Sequence, residues 1–121
     1  MSTERELGDR WAATIRAWPS QPFVMKLPAS STAGIPDWLV VGAPYGAQLF
    51  EAKLALPTGE WAFDPHHQLT GAQRFILSAI ARKWKPAAQL LILDETGYVE
   101  MNYTTRRLPR TVFNRRKRRY E

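Results

Sequence analysis

The chain has 121 residues, 45% of them hydrophobic and 23% charged, with a formal net charge of +6. That is enough for one small domain with a core, and it excludes a wholly disordered chain; the lack of cysteine excludes disulfides and thiolate-bound metals. No apolar run approaches the ~20 residues that a membrane helix needs, and the N-terminus is polar with no visible signal peptide, so a cytoplasmic protein is expected.

In chain order, residues 4–18 carry a helical pattern. Thr3 and Glu6 have the spacing of a capping box, and Leu7, Trp11, Ile15 and Trp18 form one apolar stripe. At about 100° per residue, Glu4 lies near the centre line of that stripe and Glu6 well off it. Glu4 is therefore expected to face the sheet from the helix end. An ordinary stabilising contact with the helix dipole is the competing role for it. Pro19 and Pro22 end the helix, and residues 23–27 read as a short strand ending near Lys26, a candidate for phosphate contact. Residues 28–34 form a loop of small side chains, in which Ser31 and Thr32 could donate to a phosphate.

Residues 34–53, GIPDWLVVGAPYGAQLFEAK, read as a β-hairpin. Two short apolar runs rich in strand formers flank a Gly-Ala-Pro-Tyr-Gly turn. Alternation along a strand puts Glu51 and Lys53 on one face, and Asp37, opening the partner strand, is placed to share it. Two carboxylates close together repel unless a cation lies between them. A hard divalent ion with oxygen ligands fits that arrangement, and Mg²⁺ takes one or two carboxylates with water completing its shell. Lys53 would then orient the attacking water or neutralise developing charge. A solvated surface ion pair between Glu51 and Lys53 accounts for the same spacing.

Residues 56–67 read as a connection, where Trp61 and Phe63 would cover the sheet edge. His66 and His67 beside Asp64 are not read as a metal site, because no further ligand has suitable spacing. A second helix is expected over 69–84. Thr70 and Gln73 form its capping box, and Leu69, Ala72, Ile76, Ala79, Ile80 and Trp84 its buried stripe. Arg74 is a candidate DNA contact on its polar face, beside the further positive charges of Arg82, Lys83 and Lys85. Residues 89–93 form a strand buried on both faces, and after a turn at 94–97 a last strand runs over 98–103.

Residues 106–121 hold Arg106, Arg107, Arg110, Arg115, Arg116, Lys117, Arg118 and Arg119 against Glu121 alone, a balance of +7; the rest of the chain balances at −1. The chain thus divides into a near-neutral body, 1–105, and a cationic tail suited to a phosphate backbone. A solubilising tail is the other reading. An RNA-binding role would rest on basicity and aromatics alone, with no RNP-type motif.

Pro36-Asp37, thirteen residues, then Glu51-Ala52-Lys53 resembles the PD-(D/E)XK nuclease pattern. Within that superfamily the likeness is to RecU- and Hjc-type Holliday junction resolvases. It is carried by Ser31-Thr32 upstream of the Asp, by Phe50-Glu51-Ala52-Lys53, and by Glu4-Arg5-Glu6-Leu7 at the start of the first helix. The segment after Pro28 is shorter than in RecU, and no stalk insertion is evident. The elements read above, in the order α-β-β-β-α-β-β, give an α/β fold with a mixed central sheet flanked by helices and a strand–helix–strand crossover after the hairpin, as in the core of that superfamily. The resemblance implies a Mg²⁺-dependent endonuclease, with Mn²⁺ as a substitute. Asp37, Glu51, the Ala52 carbonyl and Glu4 would hold the metal, Lys53 would position water, and Gln73 would point to the centre. The expected substrate is branched DNA, above all four-way junctions, cut in pairs by a homodimer. A PD-(D/E)XK nuclease of other specificity and a non-catalytic DNA-binding module are the alternatives.

Overall fold

The computed structural model describes residues 2–28, 33–56, 63–103, 113–114 and 119–120. Its first helix, α1 (Glu4–Arg16), begins where the Thr3 hydroxyl accepts the Glu6 N–H at 3.1 Å. The Glu6 carboxylate meets the Thr3 hydroxyl, 3.2 Å away, so only half of the expected capping box forms. Leu7, Trp11 and Ile15 are buried, as their spacing predicts. The helix stops two residues before Trp18, which still packs against the same core, its ring stacked on Tyr45 at 5.5 Å.

Five strands form a mixed sheet in the order β1-β2-β3-β4-β5: β1 (Phe23–Lys26), β2 (Trp38–Gly42), β3 (Gly46–Leu54), β4 (Ala88–Asp94) and β5 (Gly97–Asn102). The expected hairpin is β2–β3, with Trp38 opposite Phe50 and Gly42 opposite Gly46. β3 and β4 are parallel, and all other neighbours are antiparallel. That parallel step requires a crossover. It contains α2 (Pro65–Gln68), a single turn within the predicted connection, and α3 (Gly71–Lys83). β6 (Phe113–Asn114) and β7 (Arg119–Tyr120) pair antiparallel as a separate two-stranded ladder.

Period-two alternation sorts the sheet into two cores. On the α1 side, Trp11 and Ile15 meet Val24, Trp38, Val40, Phe50, Ala52, Leu91 and Leu93. On the α3 side, Leu77 and Ala81 meet Leu90, Ile92, Phe63 and Tyr103. β4 is buried on both faces, as its continuous apolar run implies. Burying each such aliphatic side chain contributes about 1.5–3 kcal/mol. The Trp11 indole N–H donates to Glu100 at 2.9 Å, and the Tyr45 hydroxyl donates to the same carboxylate, tying α1 and the hairpin to β5.

The stripe of α3 differs from expectation. Its buried line is Leu77 and Ala81; Ala72, Ile76, Ala79 and Ile80 are partly covered, and Trp84 is half exposed. Trp84 caps the helix in an extended conformation before a 3₁₀ turn at Lys85–Ala87, which swings its ring off the helical path. Phe63 is core rather than edge cover: it is buried in the α3-side cluster with Leu77, Leu90 and Tyr103. Trp61 lies outside the described residues. No helix among the described residues is long and apolar enough to cross a membrane.

Candidate active site

β3 turns Phe50 and Ala52 toward α1, and therefore Glu51 and Lys53 toward α3. Glu51 is 3% exposed, so the solvated ion-pair reading of Glu51 and Lys53 does not hold. Its Oε1 lies 3.8 Å from Lys53 Nζ and accepts from Gln73 Nε2 at 2.9 Å. Its Oε2 is buried, and no donor reaches it. Burial first, then the negative charge of Asp37, pushes the Glu51 carboxyl up to about 8; Glu4 adds to the rise and Lys53 opposes it. The Glu51 and Asp37 carboxyls are close enough for a protonated Glu51 to donate to Asp37.

Asp37 sits one residue before β2, where the strands part. Its N–H donates to Phe50 O at 2.9 Å, and its C=O accepts from Leu27 N at 2.8 Å. The backbone is thus pinned from both neighbouring strands. Its side chain reaches forward, and Oδ2 accepts from Ala52 N at 2.8 Å. Ladder alternation puts the Ala52 carbonyl on the same strand edge, past the end of β2. Pro36 would fall opposite it in a continued register, and proline has no N–H to give. Oδ1 of Asp37 lies 3.4 Å from Lys26 Nζ, which also stands 5.1 Å from the centroid of the Trp38 ring.

Glu4, in the first turn of α1, is half-buried beside this group. Burial and then the charge of Asp37 raise its pKa, while Lys53 and Lys26 lower it. The helix therefore delivers Glu4 toward the sheet, as its place on the stripe predicts. Gln73 fills both of its expected roles at once. Its Oε1 accepts from Thr70 N at 2.9 Å, completing the capping box of α3, and its Nε2 holds Glu51.

The structure thus brings together Glu4, Lys26, Asp37, Glu51, Ala52, Lys53 and Gln73 from α1, β1, the residue before β2, β3 and α3. Lys26 enters as the ionic partner of Asp37, a role legible only from the β1–β2 register that sets Lys26 opposite Trp38. Arg74 is exposed on α3, next to Gln73. Ser31, Thr32, Arg106, Arg107, Arg110, Arg115, Arg116, Lys117 and Arg118 lie outside the described residues, and Arg119 is described only as backbone of β7. Gly34 was not singled out by the sequence. It adopts φ +90°, and a Cβ there would stand 2.4 Å from Ala72 O, so the loop before Asp37 lies directly on the first turn of α3. A glycine three residues before the Asp was the available signal.

Among the described residues, no three acidic, histidine or cysteine side chains make a ready-formed coordination group. The donor chemistry nevertheless suits a hard cation held by two carboxylates and water. Asp37 and Glu51 are adjacent acids, and Glu51 Oε2 is a buried acceptor without a donor. Comparison of the chain with protein-family models, curated proteins and solved structures finds no match.

Proposed function

We propose that the chain is a Mg²⁺-dependent endodeoxyribonuclease of the PD-(D/E)XK kind that cuts branched DNA, four-way junctions above all, as a homodimer. The observation that carries this reading is Glu51: an acid buried to 3% exposure, with one oxygen lacking any donor, beside a second acid and a lysine. A buried carboxylate oxygen left without a donor is costly unless a charge compensates it. In this reading Asp37 and Glu51 would hold the cation, the Ala52 carbonyl would complete its shell, and Glu4 would act on it through water or directly. A bound Mg²⁺ supplies Lewis acidity toward a phosphate oxygen and lowers the pKa of water.

The protein's own groups do the rest. Gln73 fixes the Glu51 carboxylate by its amide, and the Ala52 N–H fixes Asp37. Lys53 is 17% exposed in its side chain, so its ammonium is held at the site and can orient water or meet developing negative charge. Paired cuts across a symmetric junction call for two such centres, which a two-fold dimer provides.

The test is cleavage of a labelled four-way junction beside a linear duplex of the same sequence, with Mg²⁺ and with EDTA, for the wild type and Lys53→Ala. Metal-dependent paired nicks in the junction alone, lost in the variant, are the expected result. Cleavage of both substrates would retain the nuclease centre and remove junction selectivity. Binding without cleavage under Mg²⁺ or Mn²⁺ would leave a DNA-binding module, a reading that the Lys26–Asp37 pair favours because it already neutralises one of the acids.

A further inference from the structure

The stretch 65–93 contains Arg74, Arg82, Lys83 and Lys85 and no acidic residue. All four cations are exposed. Leu77 and Ala81 mark the buried side of α3. At about 100° per residue, Phe75 and Arg82 lie nearly opposite Leu77, with Arg74 and Lys83 flanking them. Phe75 is 70% exposed in the midst of these charges. Four exposed cations with no acidic residue among them suit a phosphate backbone better than an apolar partner. Arg74, Ser78 and Arg82 form a row at i, i+4 and i+8. Their span of about 12 Å matches roughly three or four nucleotide steps at ~3.4 Å of rise each.

A second observation joins this face to the basic tail. Tyr103 is buried, its hydroxyl 2.8 Å from Ser78 Oγ and 3.3 Å from Arg74 O. The chain therefore enters the segment that carries eight of its seventeen basic residues from a point fixed on this flank of α3. At this same end of the row, Gln73 precedes Arg74 and holds Glu51. The cationic face thus starts beside the candidate site, on the flank of α3 that also holds Tyr103.

We propose that the outward face of α3 and the turn after it, from Arg74 to Lys85, bind the phosphate backbone of a duplex DNA arm that leads away from the candidate site. This rests on the nuclease reading for its direction, though not for its charge. The experiment is binding of a labelled DNA duplex in EDTA, over a salt series, with the full chain. Arg74→Gln with Arg82→Gln, and separately Lys83→Gln with Lys85→Gln, are compared with Arg10→Gln on α1 as control.

Each α3 pair should lower the slope of log affinity against log salt by about two, at ~0.9 per lost phosphate contact, and the control should leave it unchanged. Unchanged slopes in both pairs, an equal drop in the control, or tighter binding of an RNA duplex of the same length would overturn the proposal. Thermal unfolding of each variant verifies that a lowered slope is not a loss of fold. Cleavage under Mg²⁺ is scored separately: α3-dependent binding with no cleavage defeats the nuclease reading and supports the surface. Metal-dependent cleavage with an unaltered slope defeats the surface alone.

Discussion

Gln73 and Glu51, twenty-two residues apart, are joined by a hydrogen bond of 2.9 Å from the amide Nε2 to the carboxylate Oε1. The other end of that amide closes the capping box of α3 on Thr70. One side chain therefore sets the helix start and the orientation of the buried acid together. Gln73→Glu separates these roles, because a carboxylate can still accept from Thr70 N but cannot donate to an ionised Glu51. Cleavage should fall at least tenfold with the cap kept, and the added charge should push the Glu51 carboxyl further up. Gln73→Ala should lose both side-chain bonds while the Thr70 hydroxyl still caps the helix, with about 0.5–1.5 kcal/mol of stability going with the lost bond to Thr70 N. Melting curves beside cleavage rates check this; a Gln73→Glu enzyme with full activity would remove Gln73 from the site.

The buried state of Glu51 sets a pH dependence whose sign is fixed. Its carboxyl is raised from an ordinary 4.5 to about 8 in the fold. Between those values the folded chain binds more protons than the unfolded one, so stability falls as pH rises through that window. Glu4, also raised, acts in the same direction. The metal-free protein should lose a few kcal/mol between pH 5 and pH 8.5 from Glu51, at about 1.4 kcal/mol per unit. Glu51→Gln should flatten the fall and melt higher than wild type at pH 8.5. Mg²⁺ should raise the wild-type Tm more at pH 8 than at pH 6, where it must displace a proton. Calorimetry over pH 5–9, with and without Mg²⁺, measures each term.

Asp37→Asn should abolish cleavage while DNA binding survives. The Asn carbonyl can still accept from Ala52 N, as Oδ2 now does, and the backbone bonds to Phe50 and Leu27 do not involve the side chain. What is lost is the negative charge beside Glu51, so Glu51 should ionise at lower pH in this variant. Equal loss of cleavage and binding would mean that Asp37 serves the fold rather than the chemistry.

Truncation after Tyr103 removes the +7 segment. DNA affinity should fall and its salt slope should flatten, with less dependence remaining on α3 alone. Tyr103 and its contacts to Ser78 and Arg74 stay in place, so Tm should hold. A truncated chain with the wild-type slope would place the phosphate contacts elsewhere.

The hairpin and the shared face of Glu51 and Lys53 were legible because strand alternation has a fixed period, and the first helix because its stripe does. The stripe of the second helix was misread near its end: periodicity carries on through Trp84, while the backbone turns out of the helix there. The bond from Gln73 to Glu51 is not legible in the capping pattern, which says nothing about where the free end of the amide points. The Lys26–Asp37 pair depends on strand register, and the contact of Gly34 with α3 depends on two segments meeting in space. Neither is a property of local pattern.

That last contact gives the most exacting prediction. Gly34 holds φ +90°, and a Cβ would meet Ala72 O at 2.4 Å and Gln73 N at 2.9 Å, all backbone atoms that cannot step aside cheaply. Gly34→Ala must strain the loop, push it off α3, or both, at about 1–3 kcal/mol for the backbone conformation alone. The loop leads into Asp37, and α3 carries Gln73, so the displacement should separate the two groups that bracket Glu51. Cleavage should fall by more than the loss of folded protein explains, with Mg²⁺ affinity, read from Tm shifts, falling alongside it. Ala72→Gly leaves the opposing backbone carbonyl in place and so should not rescue the variant. Rescue by that change would show that side-chain crowding, rather than the close backbone approach, makes the position demand glycine.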